Sequence, residues 1–217
     1  MHKSINNLIS IQSELKTKFD EINKLKIVAV SKTFKSIDIL PLIQHGHIHF
    51  GENKVQEAVD KWSLLKKDYP NINLHMIGKL QTNKVKFTIP LFDYIHSLDN
   101  IKLAEKISSE EKKINKKLKI FIQININNEK QKSGIHPDEL QDFYNICTSK
   151  LNLNIIGLMC IPPNDNQSVK HFSLMKKLKK KINVDELSMG MSNDYLDAIK
   201  NEATYIRIGS KIFGKRF

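Results

Sequence analysis

Lys32 directly follows Ile27, Val28, Ala29, Val30 and Ser31. A run this apolar reads as a buried strand, so a lysine at its end would be partly desolvated. Its pKa would fall and its amine would become a nucleophile. Such a residue suits imine formation with a carbonyl; the plainer alternative is a strand-end lysine that reaches solvent. Near the other end of the chain, Ser188, Met189, Gly190, Met191 and Ser192 open a helix, and Arg207, Ile208, Gly209 and Ser210 end a strand before another helix. Small residues at a helix start let backbone N–H groups approach a phosphate. The helix dipole adds roughly half a positive charge there, and Ser192 and Ser210 offer hydroxyls. Ordinary capping explains either stretch alone. Two such stretches on neighbouring strands are less easily dismissed as caps, and both resemble phosphate cradles.

Weaker signals lie between these ends. Gly51, Glu52 and Asn53, and then His75, Met76, Ile77 and Gly78, place polar groups and a glycine at two further strand ends. His45, His47 and His49 alternate, but His45 and Gly46 read as the end of a helix. No carboxylate or cysteine completes a set of ligands with them, so no metal site is expected.

The elements that must position these residues follow a regular pattern. Leu8, Ile11, Leu15, Phe19 and Ile22 recur at helical spacing and predict an amphipathic helix ahead of the main fold. Strand-like runs then fall at 26–31, 48–50, 73–77, 94–97, 119–125, 154–158, 186–189 and 205–208. Helical patterns lie between them at 37–45, 55–67, 81–87, 101–114, 137–149, 168–181 and 194–200. Strand–helix alternation implies right-handed crossovers and a parallel sheet, which with eight strands closes most naturally into a barrel. An open doubly wound sheet is the alternative, but the chain lacks both G-x-G-x-x-G and a Walker-type loop. The expectation is a single parallel (β/α)8 TIM-like barrel spanning 1–217, with an extra N-terminal helix. Its functional groups would sit at the C-terminal ends of the strands.

The composition narrows the partners. The chain has 217 residues and a formal net charge of +12, from 35 basic and 23 acidic residues. Arginine occurs only at Arg207 and Arg216, and the chain is crowded with Lys, Ile and Asn, as an AT-rich coding sequence would produce. The run Lys176, Lys177, Lys179, Lys180 and Lys181 reads as a solvated helix face, and no nucleic-acid module is recognisable. No nucleic-acid partner is expected. Cys147 and Cys160 are too few and too far apart for a disulfide framework or a zinc knuckle, so they read as small core residues. No run approaches the roughly 18 apolar residues of a membrane span, and the N-terminus lacks a secretory pattern. A cytoplasmic protein with no membrane partner is the default.

Five ordered blocks carry a resemblance over nearly the whole chain. They are Ala29 to Thr33; Phe50 to Asn53 with Val55, Gln56 and Glu57; His75 to Gly78 with Leu80, Gln81, Asn83 and Lys84; Ser188 to Ser192; and Arg207 to Gly209 with Ile212, Phe213 and Gly214. Together they resemble the pyridoxal phosphate homeostasis proteins, whose fold is similar to the N-terminal barrel of alanine racemase. The resemblance implies that Lys32 carries pyridoxal 5′-phosphate as an internal aldimine. It implies that Ser192, Gly209 and Ser210 hold the phosphate, that Arg207 faces the pyridine nitrogen, and that Asn53 and His75 line the pocket. A guanidinium can only donate to the ring nitrogen and so keeps it unprotonated. A neutral ring is a weaker electron sink than one paired with a carboxylate, so the site would hold cofactor without promoting much chemistry. Leu74 and Met76 stand where the family often has a large aromatic and Phe, and residues 201–204 replace its usual Gly-Ser-Thr. The resemblance places these departures beside the pocket.

The implied activity is that of a monomeric protein, not an enzyme, that buffers or delivers the cofactor, with pyridoxal-phosphate-dependent apo-enzymes as recipients and effects on amino-acid and keto-acid metabolism. No catalytic residue is assigned. A weak amino-acid racemase is the competing enzyme reading, and it would need a second acid/base group opposite Lys32. A Schiff-base aldolase would carry no absorbing cofactor, and a nucleic-acid-binding scaffold would show salt-dependent retention on polyanions that is insensitive to Lys32.

Overall fold

In the computed structural model, which describes residues 1–20, 22–127 and 133–214, every strand pairs in parallel with its sequence neighbour. The strands are β1 (Lys26–Val30), β2 (His49–Glu52), β3 (Asn73–Met76), β4 (Tyr94–Leu98), β5 (Lys119–Ile124), β6 (Ile155–Cys160), β7 (Glu186–Ser188) and β8 (Tyr205–Ile208). Pairing of β1 with both β2 and β8 closes the barrel. The helices are α1 (Lys3–Lys18), α2 (Ser36–Gln44), α3 (Val55–Asp68), α4 (Val85–Leu91), α5 (Ile101–Ile114), α6 (Leu140–Asn145), α7 (Ser168–Lys181), α8 (Tyr195–Lys200) and α9 (Ser210–Phe213). The closed parallel barrel, with α1 as an extra N-terminal helix, is the expected architecture.

Tertiary pairing moves some boundaries. The strand expected at 48–50 runs on to Glu52 because its ladder to β3 continues through Gly51 and Glu52. β6 reaches Cys160, opposite Ile124. The helix expected over 137–149 divides into a 3-10 turn (Pro137–Glu139), α6 and a π-helical turn (Ile146–Lys150). α1 buries Leu8, Ile11 and Leu15, each worth about 1.5–3 kcal/mol when removed from water. Asn7 donates to the Ile212 carbonyl at 2.9 Å, and the Tyr195 hydroxyl donates to Glu14. The two ends of the chain are thereby joined beside the last strand.

Residues alternate in and out along each strand. The outward set, with Phe50, Leu74, Met76, Ile95 and Leu187 among it, packs into the core between sheet and helices. The inward set is unusual for a barrel interior. Val28, Tyr94, Phe121, Met159 and Tyr205 form a separate cluster, and His75 and His96 lie among them, fully buried. His75 stacks on Tyr94 with ring centroids 4.1 Å apart, and His96 stacks on Phe121 at 4.4 Å.

This geometry corrects the placement of the family departures. Leu74 and Met76 flank His75 in sequence but point the opposite way, into the sheet–helix core, so they do not touch the barrel's interior. Residues 201–204 precede β8 and lie at the N-terminal end of the barrel. There Glu202 pairs with Lys176 and Lys179, and the Thr204 hydroxyl accepts from Leu187 N–H.

Candidate functional site

A cavity of about 680 Å³ opens at the C-terminal ends of the strands. Lys32, Asn53, Ser192, Arg207, Gly209 and Ser210 all line it, as do Val30, Ile77, Met191 and Asp194. Residues separated by more than 150 positions in sequence meet there because parallel strands deliver their ends to one face.

Lys32 sits in the turn after β1, between two anchored neighbours. Ser31 donates its N–H to the Gly51 carbonyl at 3.0 Å and its hydroxyl to Glu52 Oε1 at 2.7 Å, while its own carbonyl accepts from Lys61 Nζ at 2.8 Å. Thr33 adopts a left-handed backbone, with φ 70°, and its N–H donates to Glu57. Behind this turn the fully buried Glu52 carboxylate also accepts from Lys61 Nζ at 2.9 Å and from Trp62 Nε1 at 3.0 Å. Glu52 and Lys61 therefore set the direction in which Lys32 leaves the strand. Sequence reasoning missed this network; the available signal was a glutamate and a lysine nine positions apart within otherwise core-forming stretches.

Asn53 enters the cavity wall just after β2. A Cβ at Gly78 would lie 2.3 Å from the Asn53 carbonyl oxygen, so only glycine permits this approach of the two strand ends. Asn53 Oδ1 is buried and has no hydrogen-bond partner among the described residues. Such an acceptor is costly unless a ligand or water satisfies it.

Opposite, the Ser210 and Ser192 hydroxyls lie 3.1 Å apart. The loop bearing Ser192 is fixed by Gly190, which has φ +90° and where a Cβ would come within 2.6 Å of Ala198 Cβ. It is also held by Asp194, which accepts from Met191 N–H at 2.6 Å. Two features differ from expectation. Ser192 does not open a helix, since α8 starts three residues later, and α9 is a single turn. The cradle thus consists of hydroxyls and loop amides, with little help from a helix dipole.

Arg207 forms the floor, buried but reaching the cavity. Its Nη1 donates to Ser188 Oγ at 2.7 Å and its Nη2 to the Cys160 carbonyl at 2.8 Å. Burial pulls its pKa below the ordinary value, yet a guanidinium remains a cation at neutral pH. Cys160, beside it, is a free thiol pushed up to about 12 by burial; Cys147, also free and buried, shows the same shift.

His75 does not line the cavity. The register pairs it with Gly51 and Tyr94, one layer below the mouth, and the next inward residue of its strand line, Ile77, occupies the wall instead. His75 bonds His49 and His96, each at 2.9 Å. His45 caps α2, and His47 Nε2 lies 2.9 Å from the His49 carbonyl, so the three alternating histidines do not converge. No helix among the described residues is long and apolar enough to cross a membrane.

A family model for the N-terminal domain of alanine racemase matches residues 7–216. A pyridoxal phosphate homeostasis protein of Haemophilus influenzae is 37% identical, covering 97% of this chain and 94% of that protein. PipY of Synechococcus elongatus, solved with pyridoxal phosphate bound, superposes with a TM-score of 0.87 at 30% identity, covering 97% of this chain and 100% of the other. Its cofactor-free structure gives 0.88 at 31% identity, covering 98% and 100%. An alanine racemase of Clostridium difficile shares the fold, with a TM-score of 0.77 at 13% identity, 99% of this chain corresponding to 57% of that one. With a cavity, a lysine turn and a hydroxyl cradle arranged at the mouth of a parallel barrel, and with relatives matched almost end to end, the chain belongs to the pyridoxal phosphate homeostasis protein family, on the alanine racemase N-terminal barrel.

Proposed function

We propose that this protein holds pyridoxal 5′-phosphate in the cavity at the C-terminal mouth and serves its intracellular homeostasis, buffering or delivering the cofactor without a catalytic turnover of its own. Once bound, pyridoxal phosphate supplies an aldehyde that a lysine amine can attack and a ring whose electron demand depends on its nitrogen's partner. Lys32 provides the amine. Ser192, Ser210 and the Gly209 backbone would hold the phosphate at the wall where the two hydroxyls lie 3.1 Å apart. Asn53, whose buried Oδ1 has no partner among the described residues, would offer its side-chain amide to the ligand. Arg207 would donate toward the ring nitrogen and, having only donors, would keep a proton off it.

The observation that carries this reading is the convergence of Lys32, Arg207 and the Ser192–Ser210 pair on one cavity of cofactor size. The names of the relatives, and the cofactor bound in PipY, support it independently. We read the protein as a monomer that passes cofactor to pyridoxal-phosphate-dependent apo-enzymes; the opening of the cavity at the barrel mouth would give a recipient direct access.

The test is the near-ultraviolet and visible spectrum of the purified protein beside Lys32→Ala, before and after borohydride. The expected result is an absorbing band that reduction abolishes, with the cofactor fixed by mass to the peptide containing Lys32, and neither in the variant. A protein that stays colourless with added pyridoxal phosphate would overturn the proposal.

A further inference from the structure

Below the cavity, five polar side chains link into a continuous chain through the barrel. Arg207 Nη1 lies 2.7 Å from Ser188 Oγ, Ser188 Oγ 2.8 Å from His96 Nδ1, His96 Nε2 2.9 Å from His75 Nδ1, and His75 Nε2 2.9 Å from His49 Nδ1. His75 and His96 have no exposed surface, and Ser188 has none either. At the far end His49 borders a cleft of about 350 Å³ at the N-terminal end of the barrel. It feels Lys26, Lys119, His47 and Asp93 there. His75 faces Tyr94 and Tyr205, and His96 faces Phe121, Tyr205 and Arg207.

The bonds dictate one another. Arginine has only donors, so Ser188 Oγ must accept from it. The serine proton then goes to His96 Nδ1, which forces the proton of that neutral ring onto Nε2. His96 Nε2 donates to His75 Nδ1, and His75 Nε2 donates to His49 Nδ1. The opposite direction would make Ser188 accept twice, leave its own proton without an acceptor among the described residues, and aim the positive end of every N–H toward the guanidinium. Stacking of His75 on Tyr94 and of His96 on Phe121 holds the ring planes.

We propose that Ser188, His96, His75 and His49 form a one-directional hydrogen-bond column that positions Arg207, so that residues which never touch the cavity set how the guanidinium presents its remaining N–H groups to a ligand. The inference rests on the cofactor reading only for what that ligand is; the direction of the column belongs to the protein alone. These are positioning residues, and the column gives the barrel interior a role beyond packing.

The experiment is ¹⁵N NMR of histidine- and arginine-labelled protein, with and without pyridoxal 5′-phosphate. In the cofactor-free protein, His75 and His96 are expected to carry their proton on Nε2 only, with scalar coupling across the His96–His75 and His75–His49 hydrogen bonds. A proton on Nδ1 of either ring, or no coupling, overturns the column without any variant being made. His75→Phe is then expected to shift the Arg207 side-chain signals and, in the loaded protein, the absorption maximum. His75→Asn, whose Oδ1 still accepts from His96, is expected to restore both. Unchanged Arg207 signals in His75→Phe would make the column a packing device and overturn the positioning role. A wild-type protein that never acquires the band would instead sink the cofactor reading, while the Arg207 signals would still decide the column.

Discussion

Replacing His75 and His96 together by Phe should make the protein less sensitive to acid. Both rings are fully buried, and burial, with Arg207 close to His96 and with His96 and His49 close to His75, pushes both pKa values well below the ordinary value. In the unfolded chain they titrate near a pH of about 6.5. Below that pH the unfolded state binds protons that the folded state refuses, so stability falls as pH falls, by about 1.4 kcal/mol per pH unit for each ring. Between pH 7.5 and pH 5 the two rings together should cost about 4 kcal/mol, a large share of the roughly 5–15 kcal/mol of a typical domain. Phenylalanine can keep the stacking on Tyr94 and Phe121, so the comparison need not depend on losing the ring contacts. His47, held at about 4 mainly by burial and bonded to neither ring, contributes to both proteins alike; His49, also held at about 4, loses its bond from His75 in the variant but keeps the burial that dominates its shift. Glu110 and Glu202, held at about 2 by their lysine partners, begin to lose their stabilisation only as pH falls below about 5, and do so in both proteins alike, so the comparison at pH 5 isolates the histidines. Urea unfolding at both pH values measures the effect. The wild type should lose about 4 kcal/mol more between the two conditions than the double variant. An equal loss in both proteins would refute the argument, whatever the variant's stability at pH 7.5.

Other residues make separate predictions. Lys61→Met leaves the buried Glu52 carboxylate without its cation and should destabilise the fold by about 3–5 kcal/mol, with part recovered in the Lys61→Met/Glu52→Gln double variant; thermal melts decide it. Gly190→Ala places a side chain at φ +90° and 2.6 Å from Ala198 Cβ, so it should cost about 1–3 kcal/mol and loosen the Ser192 loop, which denaturation and cofactor titration would register together. Ser192→Ala should weaken cofactor retention on dialysis, whereas Arg207→Ala should change the absorption spectrum more than the affinity. Unchanged behaviour in both would remove these residues from the site.

The sequence by itself determined the strand–helix alternation, because period and turn chemistry are local, and favoured a barrel over an open sheet; the pairing of β1 with β8 decided closure. It also marked Lys32, Asn53, Ser192, Arg207, Gly209 and Ser210 as lying at strand ends, and a parallel barrel delivers strand ends to one face without further instruction. Depth along a strand is another matter. Nothing local distinguishes His75 one layer below the mouth from Ile77 in the cavity wall, since both point inward; only the stagger of β2, β3 and β4 separates them. The outward direction of Leu74 and Met76, and the place of residues 201–204 at the opposite end of the barrel, likewise follow from register and closure. His49, His96 and Ser188 stand on three different strands, far apart in sequence. They become a continuous path to Arg207 only when the sheet closes, because side chains from all eight strands then share one narrow interior in which each buried polar atom must find its partner.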